Sequence, residues 1–170
     1  MNEDREKVFR VMFVCTGNTC RSPMAEGILK QMAKIDGLDY MDVASAGTST
    51  YDGYPATSYA VHVSHNAGID ISFIHSAQLT SDLMAEADLI LALAKNHYDQ
   101  MMSLYPEHAH KVFMLRAFPE HGSDPSLSIA DPIGLDLEFY EKTFGEIKAE
   151  LERVWPHIKS MYYQKIQDNR

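Results

Sequence analysis

Residues 11–26 read VMFVCTGNTCRSPMAE, and this stretch decides the fold that the sequence predicts. The run VMFVC is apolar throughout, which is typical of a buried strand in a parallel sheet. A short loop with Gly17 and Asn18 follows. Ser22 and Pro23 then open a helix, Ser22 as its capping residue and Pro23 in its first turn. Because such a strand, loop and helix start aim backbone N–H groups at one point, we expect a phosphate or sulfate ion to bind in this loop.

Two side chains in this stretch bring chemistry to the predicted anion site. Cys15 ends the strand, and the loop amides together with the helix dipole favour its thiolate, which is the nucleophilic form. Arg21 closes the loop, and its planar guanidinium can bind two phosphoryl oxygens at once. Cysteine, five residues, arginine and then a hydroxyl residue is the spacing that marks cysteine-dependent phosphatases.

The longer segment VCTGNTCRSPMAE, residues 14–26, resembles the loop of the low-molecular-weight protein tyrosine phosphatases. That family carries the loop near its N-terminus, and the resemblance extends over roughly residues 10–154. It implies an α/β fold, a three-layer sandwich with a four-stranded, parallel, doubly wound sheet. It also implies hydrolysis through a phosphocysteine intermediate, a reaction that needs no metal and no cofactor.

Expulsion of a leaving group from phosphorus requires a proton donor opposite the nucleophile. The family carries its general acid in an Asp-Pro pair before the last helix, and Asp131 matches that position. A second Asp-Pro pair begins at Asp124, for which we predict only turn initiation. Cys15, Arg21 and Asp131 are therefore the predicted catalytic residues.

The remaining loop residues are expected to shape the site around the nucleophile. Asn18 should brace the loop through side-chain hydrogen bonds, and Ser22 should donate a hydrogen bond to the Cys15 sulfur. The resemblance implies that Cys20 can form a protective disulfide with Cys15, while an alternative role is simple packing. The predicted substrate-binding residues are Thr16, Gly17, Asn18, Thr19, Cys20, Ser22 and Tyr51.

Besides Asp131, two further predicted site residues lie outside the loop. The resemblance implies that Ser45 buttresses the loop and that Tyr51 forms an aromatic wall facing the substrate. The sequence also departs from the family, because Ile74 stands where many members carry a histidine and Ala94 where many carry an aspartate.

The substrate stays open between phosphotyrosine and phosphoarginine. The tyrosine phosphatases usually have isoleucine at the position of Thr19, whereas the related bacterial protein-arginine phosphatases have threonine. Tyrosines often follow the Asp-Pro pair in the tyrosine enzymes, but Ile133 and Gly134 follow it here. Thr19 favours phosphoarginine, while Tyr51 could still stack on an aryl ring.

The pattern of apolar runs predicts strands alternating with helices, as in a parallel α/β sheet. Gly37 ends the first helix, residues 118–135 form a long loop of the kind that is usually functional, and Pro156 kinks the last helix or ends it early. The predicted strands are 8–15, 40–46, 88–93 and 111–115, and the predicted helices are 23–36, 56–67, 81–87, 96–105 and 136–163.

Composition bounds the class of protein and its partners. The 170 residues predict a single phosphatase domain spanning residues 1–170, and 45% hydrophobic residues fit a globular chain. A net charge of −9 argues against nucleic acid and membrane as partners. Two cysteines, both in the loop, do not indicate a structural disulfide framework. The charged first residues lack the apolar run that is typical of a signal peptide. We therefore expect a cytoplasmic enzyme that acts on phosphorylated proteins and holds no metal, since the scattered histidines offer no third ligand.

Two other functions use the same loop. A non-catalytic phosphoprotein-binding module is the alternative from another class, against which the presence of Cys15, Arg21 and Asp131 together argues. A thiol-dependent arsenate reductase would need further cysteines outside the loop, and this chain has none.

Overall fold

The computed structural model describes residues 7–168 and contains a four-stranded parallel sheet in the order β2-β1-β3-β4. The first strand is buried at every position except Arg10, as the apolar run predicts. All four predicted strands are confirmed to within about two residues. They are β1 (Phe9–Cys15), β2 (Met41–Gly47), β3 (Leu89–Ala92) and β4 (Val112–Met114).

Helices connect the strands, and the predicted helices are present with small shifts at their ends. Short 3₁₀ turns add Pro106–Lys111 and Pro125–Leu127, the second of them inside the predicted long loop. The α-helices are α1 (Arg21–Ile35), α2 (Ser58–Asn66), α3 (Ser81–Glu86), α4 (Lys95–Leu104) and α5 (Leu137–Asp168). Among the described residues, none of these helices combines the length and apolar character needed to cross a bilayer.

Side chains of β1 alternate between two hydrophobic clusters, one on each face of the sheet. Val11 and Phe13 pack into the larger cluster with residues of α1, α2 and α5, whereas Met12 and Val14 pack into the smaller one with residues of α3 and α4. A parallel sheet buries both faces in this way. The result is the predicted three-layer sandwich.

The carboxyl ends of the strands meet at one edge of the sheet. Cys15, the last residue of β1, pairs with Gly47, the last residue of β2. A Cβ atom at Gly47 would lie 2.5 Å from the carbonyl oxygen of Thr16, so glycine permits the close approach of the two chains. Loops that follow these strands are therefore held together where the site was predicted.

Two details of the helix ends differ from the prediction. Helix α1 begins at Arg21 after Cys20, with no side-chain cap, so Ser22 is not the capping residue. Helix α5 runs through Pro156 to Asp168, so the proline does not end it early. Near this proline, Arg153 donates hydrogen bonds to the carbonyls of Leu115 and Phe118, and these bonds connect α5 to the chain after β4.

Two helical glycines form a matched pair for testing the packing. A Cβ at Gly27 would lie 2.5 Å from Ile71 Cγ2, whereas a Cβ at Gly145 would meet no atom of the described residues within 4 Å. We expect Gly145→Ala to stabilise the protein by about 0.5–1 kcal/mol through backbone entropy, and Gly27→Ala to destabilise it by about 1–3 kcal/mol through overpacking. Urea unfolding of both variants measures the two changes, and equal stabilisation by both would contradict the packing of α1 against Ile71.

Candidate active site

The loop after β1 bends around the sulfur of Cys15. Backbone N–H groups of Asn18 and Ser22 donate hydrogen bonds to Cys15 Sγ, and Ser22 Oγ lies 2.9 Å from it. Asn18 has a φ of 55°, a left-handed conformation that asparagine tolerates better than most residues. This turn directs the loop amides inward, as the sequence predicts.

The side chain of Asn18 holds the bend through three hydrogen bonds. Its Nδ2 donates to Ser22 Oγ at 2.7 Å and to Ser45 Oγ at 2.9 Å, and its Oδ1 accepts from the N–H of Ala77 at 2.9 Å. Because Asn18 supplies the donors, the Ser22 hydroxyl hydrogen is free to point at the Cys15 sulfur. This direction is the one that stabilises a thiolate.

Ser45 continues this network into a residue that the sequence analysis did not identify. Its hydroxyl donates to Glu26 Oε2, and Glu26 is buried and paired with Lys30 Nζ at 2.6 Å. The buried carboxylate fixes the direction of the Ser45 hydroxyl. The sequence did not indicate that this carboxylate is buried, because a Glu four residues before a Lys is typical of an ion pair on the surface of a helix.

Burial and charge act in opposite directions on the nucleophile. Burial raises the pKa of the Cys15 thiol above its ordinary value, and this effect outweighs the Arg21 charge and the hydrogen bonds from Ser22 and Asn18, which lower that pKa. The sequence indicates the stabilising contacts but not the burial of the sulfur. The free protein therefore holds a thiol that ionises less readily than predicted.

Arg21 is 5% exposed and has one donor without a partner. Its Nη1 donates to the carbonyl of Ile129 at 2.9 Å, and its Nη2 lies 3.1 Å from Asp131 Oδ2. Its Nε is buried and has no hydrogen-bond partner among residues 7–168. Buried donors are normally satisfied, so this group is available for an anion that binds beside it.

A small cavity brings the three predicted catalytic residues together. Thr16, Ser22 and Tyr51 do not line it. Tyr51 is 76% exposed and borders a wider groove beside the cavity, with Gly17 and Thr19 at the junction of the two. The lining residues of the small cavity are Cys15, Gly17, Asn18, Thr19, Cys20, Arg21, Asp131 and Ile133.

Comparison with known proteins identifies the family. A family model described as low molecular weight phosphotyrosine protein phosphatase matches residues 10–165. The chain belongs to this family. Relatives of this chain are named protein-tyrosine phosphatases and protein-arginine phosphatases, and both kinds of enzyme are hydrolases.

Relatives of both names are similar to this chain over most of its length. A protein-arginine-phosphatase of Bacillus subtilis is 35% identical over 88% of this chain and 96% of its own. Low molecular weight protein-tyrosine phosphatase A of Mycobacterium tuberculosis is 38% identical over 83% of this chain and 86% of its own. Overall identity therefore does not separate the two substrates.

Solved structures of the family share the fold. The low molecular weight protein tyrosine phosphatase of T. tengcongensis superposes with a TM-score of 0.80 at 40% identity, covering 88% of this chain and 99% of its own. The YwlE arginine phosphatase, in a mutant with a phosphorylated active-site serine, also has a TM-score of 0.80 at 34% identity, covering 89% of this chain and 96% of its own.

Ile74 and Ala94 stand where many members of the family carry a polar residue, and both have apolar side chains. Ile74 is buried in the larger hydrophobic cluster. Ala94 precedes α4 without a side-chain cap, and Ser128 instead accepts a hydrogen bond from the N–H of Lys95 at 2.9 Å. A residue of the long loop thus accepts a hydrogen bond at the start of α4, where the alanine side chain cannot.

His97 is the second site residue that sequence reasoning missed. It is fully buried, and its Nε2 lies 2.8 Å from Thr16 Oγ1. Burial, with a smaller effect of the Arg21 charge, lowers the pKa of His97 to about 3, so the ring is neutral near pH 7. Its place just after the carboxyl end of a buried strand was the available signal.

Cys20 lies among hydroxyl groups and is a free thiol, as is Cys15. Its Sγ is 3.3 Å from the hydroxyl of Tyr140 and 3.5 Å from that of Thr57. Burial first, and then the hydrogen bond with Cys20, raise the pKa of Tyr140 to about 12. The Cys15–Cys20 disulfide stays a prediction.

The Ser22 hydroxyl offers a direct test of the nucleophile's surroundings. Ser22→Ala removes a hydrogen bond that lowers the Cys15 pKa, so ionisation of the thiol should move to higher pH. Alkylation of Cys15 by iodoacetamide, followed by mass spectrometry across pH, measures this shift. Turnover of a phosphate ester at pH 7 should fall roughly 10- to 100-fold, because a hydrogen bond to a charged group contributes about 1.5–3 kcal/mol.

Ser126→Ala is the control for this substitution, since that serine is exposed and its side chain lies outside the site. An unchanged alkylation profile in Ser22→Ala would contradict the role of the hydroxyl.

Proposed function

We propose that this protein removes phosphoryl groups from protein side chains through a phosphocysteine intermediate on Cys15. The observation that carries the proposal is the buried Arg21 Nε without a partner, in a cavity that Cys15 and Asp131 also line. An unpaired cationic donor beside a nucleophile and an acid suits a tetrahedral dianion.

The proposed reaction has two displacements at phosphorus. The Cys15 thiolate attacks, an S–P bond forms, and the bond to the leaving oxygen or nitrogen breaks while Asp131 gives that atom a proton. Asp131 then takes a proton from water, whose oxygen bonds to phosphorus as the S–P bond breaks. Arg21 and the loop amides stabilise the equatorial oxygens in both steps.

The ion pair between Arg21 and Asp131 explains how one cavity can hold both the acid and the substrate. In the free protein the Asp131 carboxylate occupies an Arg21 donor at 3.1 Å. A phosphoryl group would replace the carboxylate at that donor and bring its own charge to the buried guanidinium. Asp131, released from the guanidinium and now beside a phosphoryl dianion, would take up a proton from water and face the leaving group, to which it gives that proton.

Relatives support the anion site and the covalent step. One YwlE structure carries a phosphorylated serine in its active site. Vibrio vulnificus Wzb, 26% identical with a TM-score of 0.73, is described in complex with benzylphosphonate. We propose that the loop of this chain binds phosphate or sulfate in the same place, and that the free-thiol nucleophile works in the reducing cytoplasm.

Leaving-group dependence tests the roles of Cys15 and Asp131 together. Cys15→Ser should abolish turnover of 4-nitrophenyl phosphate. Asp131→Asn should lose about 10²–10⁴-fold on phenyl phosphate, the usual contribution of general acid catalysis. It should lose less on 4-nitrophenyl phosphate, because that phenolate leaves without a proton more readily.

Asp124→Asn is the matched control for the acid. Asp124 begins the second Asp-Pro pair and accepts a hydrogen bond from the N–H of Ser126, so it caps a 3₁₀ turn as predicted. Its loss should leave turnover unchanged. A wild type that binds phosphate without turnover would favour the alternative function, a phosphoprotein-binding module. An arsenate reductase is disfavoured because both cysteines lie in the loop.

For the substrate, we propose a phosphorylated protein, with phosphoarginine favoured over phosphotyrosine by Thr19. This residue borders both the catalytic cavity and the wider groove, and a threonine hydroxyl can accept a hydrogen bond from a guanidinium that enters there. Phosphotyrosine remains the second candidate because Tyr51 borders the same groove and Ile133 lines the cavity.

Replacement of Thr19 tests the choice of substrate. Thr19→Ile should raise turnover of aryl phosphates and lower that of phosphoarginine, because the wall becomes aliphatic. Thr19→Val keeps the shape of threonine and removes only the hydroxyl, so it isolates the polar contribution. Ratios of kcat/KM on phosphoarginine and phosphotyrosine measure both effects, and an unchanged ratio in Thr19→Ile would refute the assignment.

A further inference from the structure

The start of α4 is connected by one buried side chain to the beginning of the cysteine loop. His97 is the third residue of α4, and its Nε2 lies 2.8 Å from the Oγ1 of Thr16, 81 positions away in the chain. Thr16 directly follows the nucleophile. Its carbonyl also accepts a hydrogen bond from the N–H of Ser49 at 3.0 Å, so both its side chain and its backbone are held from outside the loop.

The same helix start is tied to the segment that carries the general acid. The carbonyl of Leu93 accepts from the N–H of Ile129 at 2.9 Å, and the N–H of Lys95 donates to Ser128 Oγ at 2.9 Å. The carbonyl of Ile129 in turn accepts from Arg21 Nη1. The beginning of the loop, the arginine and the acid-bearing segment are therefore anchored at one place.

The surroundings of His97 indicate which ring nitrogen carries the proton. Nδ1 is buried and has no hydrogen-bond partner within the part of the chain that the structure describes. A proton on Nδ1 would leave a buried N–H donor unsatisfied, which is rarer in proteins than an unsatisfied lone pair. With the proton on Nε2, the ring donates to Thr16 Oγ1, and only the lone pair of Nδ1 is unpaired.

We propose that His97 is a positioning residue for phosphoryl transfer, which acts as a neutral Nε2–H donor that holds Thr16 and keeps the loop aligned with the acid-bearing segment. This inference rests on the proposed function. His97 does not line the catalytic cavity. Its effect comes through the loop amides, whose placement matters more for the crowded transition state than for the bound substrate.

The tautomer can be tested without any catalytic activity. Long-range ¹H–¹⁵N NMR spectra of the full chain at pH 7 should show His97 with a protonated Nε2 and an unprotonated Nδ1. Cys15→Ser should give the same result. A proton on Nδ1, or on both nitrogens, would overturn the proposal even if the enzyme proved to be a phosphatase.

Two conservative variants separate positioning from general stability. Glutamine can place an amide nitrogen near the position of Nε2, whereas asparagine reaches only the position of Nδ1. With 4-nitrophenyl phosphate, His97→Asn should lower kcat about 10- to 100-fold, the scale of a small misplacement of catalytic groups, with little change in KM. His97→Gln should retain most of the activity, and equal losses in both variants, or a fall in Tm without a fall in kcat, would overturn the proposal.

Thr16 provides the matching half of a double-mutant cycle. Thr16→Val removes the hydroxyl and should lower kcat as much as His97→Asn, while Thr16→Ser keeps the hydroxyl and should lower kcat much less than Thr16→Val. The double variant Thr16→Val/His97→Asn should be no slower than either single variant, whereas additive losses would overturn a role through this hydrogen bond. A wild type with no turnover would contradict the proposed function alone, since the NMR experiment still tests the tautomer.

Discussion

The bend of the main chain at Asn18 is the constraint on which the site depends. A left-handed residue turns the loop so that its amides and the Ser22 hydroxyl meet the Cys15 sulfur. The side chain of the same residue is fixed by Ser22, Ser45 and Ala77. Because these partners belong to α1, β2 and a distant loop, the shape of the cysteine loop is set by the assembled sheet.

Electrostatics at the nucleophile is a balance between burial and local charge. Burial disfavours the Cys15 thiolate, and the same dry surroundings strengthen the attraction between Arg21 and any anion that enters. The net charge of −9 has little influence here, because charges at the surface are screened beyond about 8 Å at physiological salt. An acidic protein can therefore hold a cationic, anion-binding cavity.

In the function that we propose, catalysis and substrate choice depend on different residues of one loop. Hydrogen bonds within the protein hold Cys15 and Arg21 in place. Thr19, in contrast, lies at the junction of the cavity with the wider groove. Relatives named protein-tyrosine phosphatase and protein-arginine-phosphatase have similar sequence identity to this chain. This similarity fits a family that shares its catalytic residues and varies the residues at the cavity entrance. On this proposal, a change at Thr19 would alter which substrate enters without disturbing the Cys15 sulfur.

The sequence by itself determined the elements of the fold and indicated Cys15, Arg21 and Asp131, three of the residues that line the small cavity. Apolar runs mark strands because a parallel sheet buries both faces, and the spacing from Cys15 to Arg21 marks the loop because one turn of chain must enclose an anion. Tertiary structure alone decided the pairing of Ser45 with buried Glu26, the hydrogen bond that Ser128 accepts at the start of α4, and the contact of His97 with Thr16. It also decided that burial outweighs the charges at Cys15. These features depend on contacts between side chains that are distant in sequence and come together only after the sheet has formed. Local sequence patterns do not predict such contacts.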